Sequence, residues 1–111
     1  MGRYRIGNNL TIIWDVKKNG SPLTLTDKDL TLYMTHARGR EMCEGVVVNG
    51  STITFVFDGL DQKVLGKYTL TADIKNKNGQ RVLITDKCNA FTLVGRSCVE
   101  QPEDGNYVIY L

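Results

Sequence analysis

The chain has 111 residues, of which 41% are hydrophobic and 23% are charged. These proportions are those of an ordinary globular domain, so they exclude intrinsic disorder, collagen and coiled coils, and a chain of this length can bury one core. The formal net charge is only +2, and acidic and basic side chains are interleaved along the chain, which argues against a nucleic-acid-binding surface.

Alternation of apolar and polar residues with a period of two predicts β-strands along most of the chain. In the first predicted strand, residues 9–17, the side chains of Leu10, Ile12 and Trp14 share one face. Further strands are expected at residues 22–25, 30–36, 41–48, 51–57, 67–75, 80–86 and 89–95. Asn-Gly pairs at 49–50 and 78–79 predict tight hairpin turns, because Asn and Gly tolerate positive φ. Only residues 60–65 could form a helical turn.

A tyrosine at the start of one predicted strand indicates a particular kind of sandwich. The segment Leu65–Leu70 resembles the tyrosine corner of immunoglobulin-like domains, where the hydroxyl of a tyrosine, here Tyr68, bonds to the backbone upstream. The alternative is an ordinary strand that begins with a core tyrosine. We therefore predict an all-β, immunoglobulin-like β-sandwich of about seven strands over residues 1–97. The expected core aromatic residues are Trp14, Phe55, Phe57, Tyr68 and Phe91.

The three cysteines do not suggest a disulfide framework, because their number is odd. Cys88 and Cys98 flank a predicted strand, which would hold their thiols roughly 30 Å apart, whereas a disulfide needs Cα atoms within about 7 Å. We expect three free thiols, with one pairing to Cys43 as the alternative. No Cys-x-x-Cys or paired-histidine spacing indicates zinc.

No catalytic or metal-binding pattern is evident. His36 is the only histidine, and although it could meet Cys43 across a hairpin, no third group would orient the pair, so we interpret it as a surface turn residue. Asp58 and Asp61 could offer oxygen atoms to calcium, but they lack an EF-hand spacing and are interpreted as solvated loop carboxylates. We predict no enzyme activity, no metal and no cofactor.

The amino-terminal segment shows no apolar region of the kind that a secretory signal needs, and no segment approaches the roughly 20 apolar residues of a membrane span. We therefore expect no membrane insertion, and we interpret the glycosylation sequons at Asn9 and Asn49 as chance matches. A virion-associated and a cytoplasmic location both remain open.

Residues 98–111 are predicted to form a polar linker followed by an apolar tail. The tail residues proposed for interaction are Tyr107, Val108, Ile109, Tyr110 and Leu111. Such a segment is costly to expose to water and prone to pair with another strand. It could fold back as the last strand of its own sandwich, or it could add to the edge of a neighbouring subunit.

Residues 7–99 resemble the N-terminal immunoglobulin-like domain of phage baseplate upper proteins and related prophage tail modules. The resemblance rests on an opening strand Thr11–Val16 followed by a Lys-Asn-Gly turn, on Pro22–Leu25 and the strand Leu30–Met34, on Gly66–Leu70, and on a closing Asn89–Val94. It implies a non-catalytic structural role, with protein subunits as partners and a homo-oligomer as one form. The alternative function is a carbohydrate- or surface-binding module, for which Tyr33 and the Asp58–Asp61 loop could supply the contacts.

Overall fold

A computed structural model describes residues 2–95 and 106–111, which form β-strands and one turn of 3₁₀ helix, Gly59–Asp61, with no α-helix among them. The strands are β1 (Gly2–Arg5), β2 (Asn9–Asp15), β3 (Lys17–Lys18), β4 (Ser21–Pro22), β5 (Asp29–His36), β6 (Gly39–Met42), β7 (Val47–Asn49), β8 (Thr52–Phe57), β9 (Gly66–Lys75), β10 (Arg81–Val94) and β11 (Asn106–Tyr110). The prediction of an all-β fold is confirmed, whereas the expected number of about seven strands is too low.

Nine of these strands make two sheets. The five-stranded sheet has the order β1-β10-β9-β5-β6, and the four-stranded sheet has the order β11-β2-β8-β7. Most neighbouring strands are antiparallel, but β1 runs parallel to β10 and β11 runs parallel to β2. Strands β3 and β4 form a separate short hairpin. The two strands nearest the chain ends therefore each occupy an edge of a sheet.

The sheets face each other across one core. The ring centroid of Phe57, on β8, lies 5.8 Å from that of Tyr68, on β9, and 6.2 Å from that of Phe91, on β10. Trp14 and Phe55 are buried in the same cluster, so all five aromatic residues expected in the core lie there. Because strands of both sheets contribute to one cluster, each sheet has one buried face and one outer face.

The predicted strand 41–48 is divided in the structure. It ends as β6 at Met42 and resumes as β7 at Val47, because the intervening residues carry the chain from the five-stranded to the four-stranded sheet. Gly45, with φ of 75°, supplies a conformation in this crossing that other residues rarely adopt. A sheet change of this kind leaves little trace in an alternating pattern.

The two strands predicted at 80–86 and 89–95 form the single strand β10. A shift of register between Lys87 and Phe91 marks a bulge, in which Asn89 adopts a φ of 53°. Four residue steps along β10 match only two along β9 there, so two extra residues interrupt the pairing. The same feature that broke the alternation in the sequence is therefore an irregularity within one strand.

The apolar tail folds back as β11 onto its own chain. This is the first of the two arrangements predicted for it, in which the tail is the last strand of its own sandwich. It pairs with β2 in a register that places Ile109 beside Ile12. Cys98 and the rest of the predicted linker lie outside the described residues. No helix in the described part of the chain is long and apolar enough to span a membrane.

Candidate docking surface

The outer face of the four-stranded sheet carries no charged side chain over most of its area. Alternation along its strands turns one set of residues inward and leaves the other set outward. We call the central part of the outward set the apolar sheet face, and it consists of Thr11, Ile13, Val47, Thr54, Val56, Val108 and Tyr110. Hydroxyl groups of threonine and tyrosine are its only side-chain polar groups. The outward residues at the ends of the sheet are polar: Asn9 at one end, and Asp15, Asn49 and Thr52 at the other.

These side chains form rows that cross the sheet. Val108 pairs with Thr11, which pairs with Val56, and the next row runs from Tyr110 through Ile13 and Thr54 to Val47. The large apolar members are well exposed, at 77% for Tyr110, 61% for Val47, 53% for Val56 and 48% for Val108. Contiguous exposed apolar groups of this kind mark interaction sites more often than scattered ones do.

Asp15 is the charged residue on this outer face, and it lies at one end of the sheet with a hydrogen-bond partner. The hydroxyl of Thr52 donates to Oδ1 of Asp15 at 2.6 Å. These two residues are cross-strand neighbours on β2 and β8. The apolar sheet face is therefore bounded at this end by a paired carboxylate.

One edge of strand β11 has no partner among the described strands, and we call it the free edge. The N–H of Leu111 donates to the carbonyl of Ile13 at 2.8 Å, and the carbonyl of Leu111 accepts from the N–H of Asp15 at 3.2 Å. Along a strand in a parallel pair, the N–H and C=O groups of one residue both bond to the neighbouring strand. The N–H and C=O groups of the next residue both point to the opposite side. The N–H and C=O groups of Val108 and Tyr110 therefore point away from β2, and no described strand pairs with them.

The other sheet edges differ from β11 in length or in charge. Strand β1 carries Arg3 and Arg5, and β6 carries Arg40 and Glu41, while β7 has 3 residues. Charge and shortness are common means of preventing an edge from pairing with another chain. The sequence of β11, Asn-Tyr-Val-Ile-Tyr, has 5 residues and no charge.

The outer face of the five-stranded sheet has the opposite character. Nε and Nη2 of Arg81 donate to the two carboxylate oxygens of Asp73 at 3.2 and 3.1 Å. The guanidinium of Arg40 lies 4.2 Å from the ring centroid of Tyr33. Tyr33, which sequence analysis offered as a glycan-stacking residue, is thus covered by a side chain of the same domain.

The Asp58–Asp61 loop is apart from Tyr33, because Asp61 and Tyr33 line two different depressions. Oδ1 of Asp58 accepts from the N–H of Leu60 at 2.9 Å and caps the 3₁₀ turn. This carboxylate therefore has a local structural contact of the kind that residues at helix starts make. The two elements proposed for a glycan site do not converge on one depression.

His36 and Cys43 are each engaged in other contacts. Nε2 of His36 lies 3.0 Å from Oε2 of Glu41, and Nδ1 accepts from the N–H of Arg38 at 3.1 Å. Burial, together with the negative charge of Glu41, raises the pKa of the Cys43 thiol to about 12. A reactive cysteine needs a lowered pKa, so this thiol lacks the property of a nucleophile. Cys43 and Cys88 are both free thiols.

No metal site is evident in the described part of the chain. It contains no group of three or more histidine, cysteine, aspartate or glutamate side chains placed to hold a metal ion.

Part of the apolar sheet face could be predicted from the sequence of the tail. Of the tail residues, Val108 and Tyr110 point outward, while Tyr107, Ile109 and Leu111 pack against the core. The contributions of β2, β7 and β8 were missed. Ile13 and Val56 could have indicated this face, because they are apolar residues at positions of their strands that face outward, where polar residues are usual. No family model matches the chain, and no curated protein sequence matches it.

Proposed function

We propose that the protein is a non-catalytic structural module with an immunoglobulin-like fold, which docks onto protein subunits of a phage-tail or baseplate type of assembly. The observation that carries this proposal is the apolar sheet face, which exposes uncharged side chains on every strand of one sheet. Burying such a surface against a partner is favourable by about 25 cal/mol per Å² of apolar area. Its uncharged, largely apolar side chains suit contact with a protein surface.

Strand order supports the immunoglobulin-like part of the proposal. In that fold one sheet has the order A-B-E-D and the other contains G-F-C, with C′ beside C in variable-type domains. Strands β2-β8-β7 follow B-E-D, and β10-β9-β5-β6 follow G-F-C-C′. Strand β11 lies beside β2, in the place of strand A, but runs parallel to it.

The tyrosine corner gives independent support. Tyr68 lies near the start of β9, which takes the place of strand F, and its hydroxyl donates to the carbonyl of Val64 at 2.6 Å. A bond to the backbone a few residues upstream is the defining contact of that corner. The chain departs from antibody domains in placing its core tryptophan, Trp14, on β2 and in having Leu70 where the second disulfide cysteine would stand.

The arrangement favours protein docking over the alternative of carbohydrate binding. Glycan sites need an exposed aromatic ring with polar groups that converge on it. Tyr33 is covered by Arg40, and Tyr110 is surrounded by Ile13 and Val108 with no described charged residue beside it in the sheet.

The test is site-specific photo-cross-linking in cells that produce this protein together with the products of its neighbouring genes. In the test variant, a benzophenone amino acid replaces Val56 on the apolar sheet face. In the matched control it replaces Ile84, which is 46% exposed on the outer face of the five-stranded sheet. We expect a discrete cross-linked protein from position 56 and none from position 84. Equal cross-linking from both positions, or none from position 56, would contradict docking through this face.

A further inference from the structure

We propose that two copies of this chain pair through the free edges of β11, antiparallel about a two-fold axis, so that their four-stranded sheets become one continuous sheet. This inference rests on the proposed function, because it names a second copy as a partner and β11 as the point of contact. Two-fold contacts are the commonest way in which identical chains assemble.

The backbone of β11 is self-complementary in one antiparallel register. If Ile109 lies opposite the same residue of the second copy, Val108 of each copy lies opposite Tyr110 of the other. Both residues point their N–H and C=O groups toward the free edge, as the bonds of Leu111 to β2 require. Residues opposite each other in such pairs exchange both backbone bonds, which gives about four hydrogen bonds across the axis.

The side chains of β11 fit the same register. Val108 and Tyr110 are exposed on the outer face, and the two-fold axis places each valine beside a tyrosine of the other copy. Pairs of an aromatic and a β-branched residue are favourable cross-strand neighbours. The contact would also join the two apolar sheet faces into one larger surface.

Charge selects β11 over the other described edges. Self-pairing of β1 would bring its two arginines close to those of the second copy, which is unfavourable. Strand β11 has no charged residue, and the groove of about 310 Å³ beside it has Lys87 as its single charged lining residue. Strand β7 is also uncharged, but its 3 residues offer fewer backbone bonds than the 5 of β11.

The test uses the full chain and proline substitutions at the free edge. The double change Val108→Pro and Tyr110→Pro removes outward N–H donors without removing a bond to β2, and proline is tolerated on edges of this kind. We expect analytical ultracentrifugation to give twice the 12.4 kDa chain mass for the wild-type protein. For the variant we expect the monomer, with a dissociation constant raised at least tenfold and an unchanged melting temperature.

A second pair of changes guards against misfolding of the proline variant. Val108→Lys and Tyr110→Lys alter exposed side chains and place like charges across the axis, so they should also give the monomer, with partial recovery of the dimer at high salt. Val56→Lys is the matched control, because this residue lies on β8 away from the free edge, and it should leave the dimer intact.

The outcomes separate this inference from the proposed function. A wild-type protein that stays monomeric at high concentration overturns β11 pairing, and a cross-link from position 56 to another protein would still support docking. A dimer that survives both double variants also overturns it, since an exchanged strand or another surface would then hold the copies together. A dimer lost in both double variants, with no cross-link from position 56, supports the pairing and contradicts the docking function.

Discussion

The two sheets turn outer faces of opposite character to the solvent, although their strands alternate in the same way. On the five-stranded sheet, Arg81 is paired with Asp73 and Arg40 covers Tyr33, so these charged groups already have contacts within the domain. On the four-stranded sheet, the apolar sheet face consists of threonine, valine, isoleucine and tyrosine side chains, and the charged Asp15 lies at its end. A face with internally paired charges gains little from a partner, whereas an uncharged face gains from burial.

The edges of the sheets show the same contrast at the level of the backbone. Charged residues or shortness protect β1, β6 and β7 from pairing, while β11 combines 5 uncharged residues with a free row of hydrogen-bonding groups. Edges are usually protected because an unprotected one invites another strand. The unprotected edge and the uncharged face belong to the same sheet, which indicates one interaction region.

The largest expected effect concerns the buried side of the four-stranded sheet. Trp14→Ala should lower the free energy of unfolding by about 3–5 kcal/mol, because a large aromatic leaves a cavity in a packed core. The matched change Val56→Ala, on the outer side of the neighbouring strand, should cost less than about 0.5 kcal/mol. Urea denaturation measures both. Similar losses from the two changes would mean that the outer face is already buried and is not available for docking.

An intermediate effect is expected at Cys43, where the chain crosses from one sheet to the other. The folded state raises its pKa from 9.0 to about 12, so the unfolded chain releases the thiol proton first as the pH rises. The stabilising contribution of the neutral thiol is therefore complete below about pH 9 and is lost toward pH 12, with a slope of at most about 1.4 kcal/mol per pH unit.

Cys43→Ala is the control for this pH dependence, because other groups titrate alike in both proteins. Urea denaturation between pH 8 and pH 12 should show a smaller decline in the variant than in the wild-type protein. Parallel declines would contradict burial of the thiol and would place the crossing segment in solvent.

The smallest effect on stability is expected on the outer face of the five-stranded sheet. Arg81→Ala removes an ion pair with an exposed guanidinium, so the free energy of unfolding should fall by about 0.2–1 kcal/mol. The difference from the wild-type protein should shrink in about 1 M salt, because salt screens exposed charges. Val56→Ala is the comparison, since it should show no such dependence on salt. A salt-independent loss would mean that Arg81 contributes through packing and not through charge.

Much of the fold could be predicted from alternation and turn residues. The strands around Trp14, Phe55 and Tyr68 were placed within a few residues, because each buries one face and ends at residues suited to turns. The division at residues 43–46 and the bulge at Asn89 were missed, since a change of sheet and two extra residues within a strand both interrupt the pairing without a distinct sequence pattern.

The sequence by itself determined the β class, the core aromatic residues and the apolar nature of the tail, because these depend on residue types and their local spacing. Tertiary structure decided that the tail pairs with β2, that Val108 and Tyr110 face outward, and that they join Ile13 and Val56 in one face. These outcomes depend on register between strands far apart in the chain, and a shift of one residue would turn every side chain to the opposite face.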